Sequence, residues 1–173
     1  LNQPFCIFID RVLVDFACGR DTCDIASPDL VRAMVQTVVK ELGDIHILHN
    51  NAQWHSADPE AALAPFEEFS LEEWRSSMSV NVDGYFLVAQ AVGNQMLAQK
   101  TAGSIIQTAS IYGLMAPDQR IYEGSFCEGL PMGTPAVYTV AKAAIIGLTK
   151  YLSTYWAERG IRVNTLTPGG VET

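Results

Sequence analysis

The sequence predicts an α/β fold, a parallel sheet covered by helices, and three observations carry that prediction. From Ser27 onward, helical and strand-like hydrophobic patterns alternate. The helical patterns are long enough to act as crossovers between parallel strands. Asn50, Ser110 and Pro168 each fall directly after a strand-like run, at the sheet edge where folds of this class bind ligands.

A chain of 173 residues with 49% apolar and 17% charged residues can bury a real core, so one globular domain over 1–173 is expected. The net charge of -8 counts against a nucleic-acid backbone or an anionic membrane as partner. Cys6, Cys18, Cys23 and Cys127 form no CxxC pair and have no histidine at zinc-like spacing, so no metal site is expected. Free thiols in a reducing cytoplasm are the reading they support. The run PFCIFID is too short to span a bilayer and lacks a basic leader. The chain opens on Leu1 and stops at Thr173 just after a Pro-Gly turn, as a piece of a longer protein would.

IFIDRVLVDF holds two short apolar runs, and the CGRDT that follows leaves no room for a helix; one strand is expected near Arg11 to Phe16. Ser27 then serves as an N-cap, Pro28 suits the first helical position and Asp29 complements the helix dipole. Val31, Met34, Val35, Val38 and Leu42 recur at helical spacing up to Gly43, and IHILH is a buried strand leading into NNA. Residues 53–69 read as a loop with a short helical turn. Ser70 and Glu73 form a capping box, which starts a helix at Leu71 that runs, with an adjustment around Gly84, to about Gln99. SIIQT is the next strand, 112–134 is irregular and rich in Gly and Pro, and IRVNTLT is the last strand before Pro168 and Gly169.

Between these lies PAVYTVAKAAIIGLTKYLSTYWAERG, one long helix from Pro135 to Gly160. Tyr138 and Lys142 are four residues apart, so phenol and ammonium project from one face. A cation within about 4 to 6 Å of a phenol stabilises the phenolate and lowers a pKa that is ordinarily about 10. A tyrosine tuned in this way can act as a general acid or base. Isolated, the same pair would be two ordinary surface residues. His46, His49 and His55 read as strand and loop residues, and Trp54, Trp74 and Trp156 as packing residues.

Asn50-Asn51-Ala52 after a strand, Asn81 in a helix, Ser110 ending a strand, YTVAK from Tyr138 and PGGVET from Pro168 follow an order that resembles the short-chain dehydrogenases/reductases of the non-extended type. The resemblance covers Asp24 to Thr173 and implies a partial Rossmann-like, doubly wound parallel sheet flanked by helices. It implies NAD or NADP as cofactor and a small secondary alcohol or ketone as substrate. On this likeness Tyr138 exchanges the proton with the substrate, Lys142 tunes Tyr138 and holds the nicotinamide ribose, and Ser110 hydrogen-bonds the substrate oxygen. Asn81 steadies a water behind Lys142. Asp24 and Ile25 resemble adenine contacts, Asn50 and Ala52 cleft-lining residues, and Pro168, Gly169, Val171 and Thr173 the nicotinamide-facing segment. IYGLMAPDQRIYEGS resembles reductases of surface-polysaccharide pathways, which suggests a sugar-like substrate. The two long helices resemble those that pair subunits, implying a homo-oligomer when full length.

The departures are as informative. The family's Gly-rich turn of the TGxxxGxG type is missing, since Gly19 is the only glycine before Gly43. VLVD resembles the family's second strand, with Asp15 on the ribose hydroxyls, but the gap to Asp24 is too short for the helix and strand expected between them. Gln53 replaces a glycine. Ser110 and Tyr138 are 28 positions apart, about twice the family spacing, which makes 112–134 an inserted loop near the substrate mouth. The resemblance also implies that the family's C-terminal segment is absent. A sugar-nucleotide epimerase or dehydratase of the extended branch, which also uses a Tyr-Lys pair, and a non-catalytic degenerate fragment are the two alternatives.

Overall fold

The computed structural model describes residues 5–10, 13–16, 19–127 and 129–170. Its first strand, β1 (Phe5–Asp10), turns back into β2 (Leu13–Phe16), which turns back into β3 (Gly19–Thr22). Both pairings are antiparallel, with Phe8 opposite Asp15 and Val14 opposite Asp21. Where one strand is expected near Arg11 to Phe16, three are found; Arg11 and Val12 themselves lie outside the described residues. The gaps that exclude a helix also exclude a parallel crossover, so the chain reverses in hairpins.

Helix α1 (Pro28–Leu42) begins as expected, with the Ser27 hydroxyl accepting from the Leu30 amide and Asp29 pairing with Arg32. It buries Val31, Met34, Val35 and Val38 on one stripe and stops at Gly43, whose φ of 87° an L-residue rarely adopts. Strand β4 (Ile45–Asn50) follows, then a short α2 (Pro59–Ala62). Helix α3 (Leu71–Met78) is capped by Ser70, whose Oγ accepts from the Glu73 amide, while the Glu73 carboxylate accepts from Ser56. The expected single helix then widens into a π-helical segment, Ser79–Gly84, before continuing as α4 (Tyr85–Gln99). Gly84 is pressed on Ile25, where an added Cβ would lie 2.6 Å from Ile25 Cδ1. At the far end, the Gln99 amide clamps both backbone groups of Ile45 at 2.9 Å.

Strand β5 (Gly103–Thr108) leads into a long connection to the next helix, which contains 3-10 turns at Ile111–Gly113 and Gln119–Tyr122 and a small hairpin of β6 (Phe126–Cys127) with β7 (Leu130–Pro131). Helix α5 (Ala136–Tyr155) tightens into a 3-10 turn, Ala157–Arg159, reverses at Gly160 and enters β8 (Ile161–Leu166).

The main sheet has the order β3-β2-β1-β4-β5-β8, and its β1-β4-β5-β8 part is parallel. This is a Rossmann-like parallel sheet flanked by helices. The crossovers from β3 to β4, β4 to β5 and β5 to β8 all advance in one direction. Right-handed connections of that kind place their helices on the same face. Accordingly α1, α4 and α5 share one core with Leu48, Ile105 and Val163 of the sheet. On the opposite face of β8, Arg162, Asn164 and Leu166 are not buried. Among the described residues, no helix is long and apolar enough to cross a membrane.

Candidate active site

The parallel register aligns the ends of three strands: Asn50 sits beside Gln107, and Thr108 beside Leu166. Beyond these ends the chains stay tied together. Ala109 donates to the Leu166 carbonyl at 2.8 Å and Ile111 to that of Pro168 at 3.0 Å. Ser110 therefore stands between β5 and the exit of β8, in extended backbone, with its Oγ accepting from the Tyr112 amide at 3.2 Å. The 3-10 turn after it lies against the backbone of α5. A Cβ at Gly113 would be 2.7 Å from the Lys142 carbonyl carbon and oxygen.

On α5, Tyr138 is half-buried and Lys142 only 3% exposed. The Lys142 ammonium lies 5.6 Å from the Tyr138 ring centre and 5.9 Å from that of Tyr85. It donates to the Thr108 carbonyl at 3.2 Å, and the Tyr85 hydroxyl donates to the same oxygen, also at 3.2 Å. Burial disfavours the charged amine and pulls the Lys142 pKa down to about 8. An ammonium has three donors, so the bond to Thr108 leaves it capacity for a ligand.

A cleft of about 290 Å³ opens over these groups, lined among others by Asn51, Gln53, Ser110, Tyr138, Lys142 and Gly169. A second cavity, about 510 Å³, meets it at Ser110, Tyr138 and Gly169 and is walled in part by Tyr112, Tyr122 and Thr134 of the segment 112–134.

The sequence-derived residues fall at different depths. Ser110, Tyr138, Lys142, Pro168 and Gly169 line the first cleft together. Asn50 and Ala52 are fully buried, and the Asn50 amide donates to the Tyr85 carbonyl at 3.2 Å; their neighbours Asn51 and Gln53 are the ones that face the cleft. Asn81 lies in the π-helical segment, accepting from the Trp54 amide at 2.8 Å and donating to the Ser77 hydroxyl at 3.0 Å. Asp24 is exposed and caps the Ala26 amide, whereas Ile25 is buried under Gly84. Val171 and Thr173 lie outside the described residues. Thr108, Tyr85 and Gly113 were not anticipated. Thr108 acts through its carbonyl, which leaves no side-chain signal, but a glycine three residues after a strand-end serine is a visible hint of close backbone approach.

A parallel α/β sheet with a serine beyond one strand end and a Tyr-Lys pair on the helix beside it places the chain in the class of Rossmann-like enzyme folds. Comparison with known proteins narrows the class. A family model described as short chain dehydrogenase matches residues 20–173, and the chain belongs to that family. It is 36% identical over 146 residues to the D-threitol dehydrogenase of Mycolicibacterium smegmatis, covering 84% of this chain and 48% of that one. It superimposes with a TM-score of 0.74 and 32% identity on a short chain dehydrogenase from Leptospira borgpetersenii solved with bound NAD+, over 87% of this chain and 53% of that one. A gluconate 5-dehydrogenase from Burkholderia cenocepacia in complex with NADP and tartrate gives a TM-score of 0.69 at 35% identity, over 87% and 50%. The chain thus spans about half the length of the relatives it matches.

Proposed function

We propose that the full-length protein carrying this segment interconverts a secondary alcohol and a ketone by hydride transfer with NAD or NADP, on a polyol or sugar-like substrate. The observation that carries this reading is the buried Lys142 ammonium beside Tyr138, in a cleft that Ser110 also lines. Both the NAD+-bound and the NADP-bound relatives support the cofactor class, and the names of the relatives support the substrate class.

The residues present fit the nicotinamide end of such a cofactor. Lys142 has donors to spare in a cleft floored by Pro168 and Gly169, as a ribose and a carboxamide require. For the phosphates the described residues offer no Gly-rich turn; β1 runs instead into the β2 hairpin. When bound, the nicotinamide supplies the hydride acceptor or donor. In the oxidising direction, the Tyr138 oxygen takes the proton of the substrate hydroxyl, and the Ser110 hydroxyl, whose hydrogen its bond from Tyr112 does not use, steadies the oxygen as the carbonyl forms. The positive charge of Lys142 attracts the negative charge that a deprotonated Tyr138 carries. Reduction runs these steps backwards.

The inserted segment 112–134 borders the substrate cavity in this reading. The exposed Phe86, Tyr151 and Tyr155 on α4 and α5 support self-association of the full-length protein, which light scattering would report as a dimer or larger. The free, buried Cys23 accords with a reducing, cytoplasmic setting.

The direct test supplies the full-length protein with NAD+ or NADP+ and four- to six-carbon polyols and follows nicotinamide absorbance. Stoichiometric formation of ketone and reduced cofactor is expected. Tightly held cofactor with isomerised substrate and no net redox change would instead indicate an epimerase.

A further inference from the structure

The insertion between Ser110 and Tyr138 builds an ordered wall, and its polar groups form a chain of hydroxyls. Gln119 fixes the wall to the start of α5, donating to the Thr134 carbonyl at 2.8 Å and accepting from the Thr134 amide at 3.2 Å. That clamp sets Tyr122, three residues on from Gln119, beside Thr134: the two hydroxyl oxygens are 2.7 Å apart. The Tyr122 hydroxyl in turn donates to that of Tyr112 at 3.3 Å. A phenol has a single proton. If Tyr122 spends its proton on Tyr112, the bond to Thr134 must be donated by Thr134. The chain then runs from Thr134 to Tyr122 to Tyr112, and the last hydrogen, that of Tyr112, is left to point onward. Each bond in such a chain strengthens the next.

Tyr112 lines the same 510 Å³ cavity as Tyr138 and Ser110, and its own amide holds the Ser110 hydroxyl. A substrate carbon reacting between Ser110 and Tyr138 therefore has Tyr112 within the same chamber. Ile121, which is 61% exposed, gives that chamber an apolar side.

We propose that Tyr112, backed by Tyr122 and Thr134, donates a hydrogen bond to a second oxygen of the substrate, so that the inserted segment selects diols and hydroxy-ketones over simple alcohols. This rests on the oxidoreductase reading of the site. The work is then divided: Tyr112 binds the substrate and Tyr138 moves the proton.

The test uses the full-length protein with NAD+ and compares kcat/KM for D-threitol and larger polyols against 2-butanol and longer monohydroxy alcohols. Tyr112→Phe is expected to lower the ratio of polyol to mono-alcohol kcat/KM about ten-fold, mainly through KM. Tyr122→Phe, which cuts the chain one link earlier, is expected to move the ratio in the same direction by a smaller factor. Thermal midpoints identify any variant that is merely unfolded, and a misfolded Tyr112→Phe leaves the decision to Tyr122→Phe. An unchanged ratio, or an equal fall for both substrate types, overturns the proposal while leaving the oxidoreductase reading intact. A wild-type protein that oxidises no alcohol in either series overturns that reading and the proposal with it.

Discussion

Lys142 is a buried cation, and among the described residues no carboxylate pairs with it. Its environment depresses the folded-state pKa to about 8 from 10.5. Between those values the unfolded chain binds more protons than the folded one, so unfolding free energy from this group rises with pH through that window. Below about pH 8 the amine is charged in both states and the full cost applies, on the order of 3 kcal/mol; above 10.5 it is neutral in both and the cost is gone. Lys142→Met should therefore stabilise the protein at pH 7 by about 1–3 kcal/mol while abolishing turnover. The gap in thermal midpoint between variant and wild type should close as pH rises from 8 to 10.5, and a gap independent of pH would contradict this placement of the charge. The meeting of Tyr138, Lys142 and Ser110 at one cleft was legible in the sequence because each stands at a recognisable place in its element. The acceptor that holds Lys142 was not: a carbonyl belongs to every residue, and only the fold selects that of Thr108.

At the scale of elements, the approach of the Ser110 turn to α5 depends on Gly113. A methyl group there would collide with Lys142 backbone rather than with a side chain that could rotate away. Gly113→Ala is expected to move Ser110 off Tyr138 and lower kcat/KM about 10- to 100-fold, as small misplacements at reacting groups do. It should also cost about 1–3 kcal/mol of stability. Steady-state kinetics and a thermal melt check both effects; wild-type kcat/KM would show that the turn does not position Ser110. The caps and stripes of α1 and α3 were readable because Ser, Pro, Asp and Gly act locally. The π-helical segment was visible only as a disturbance near Gly84, a residue pressed on Ile25 far off in sequence. Of the first three strands only β2 was expected; β1 was missed, and β3 was missed for a similar reason. A four-residue strand such as GRDT has no apolar alternation of its own, and its pairing partner makes it a strand.

For the molecule as a whole, the site lies where three parallel strand ends meet one helix, and the rest of the fold serves to hold that edge. The order of motifs along the chain made this arrangement legible before any coordinates, because crossover direction and strand-end chemistry are both written in sequence. The antiparallel β1-β2-β3 edge was not legible, because these short strands take their form from pairing with one another. The account's central claim is that Tyr138, beside Lys142 and Ser110, moves the proton in a nicotinamide-dependent reaction. The most direct measurement compares full-length wild type with Tyr138→Phe, reading both turnover and NADH binding by nicotinamide fluorescence. The account predicts a loss of kcat of about 10²- to 10⁴-fold with NADH affinity kept within a few-fold; near-equal turnover of the two proteins would contradict it.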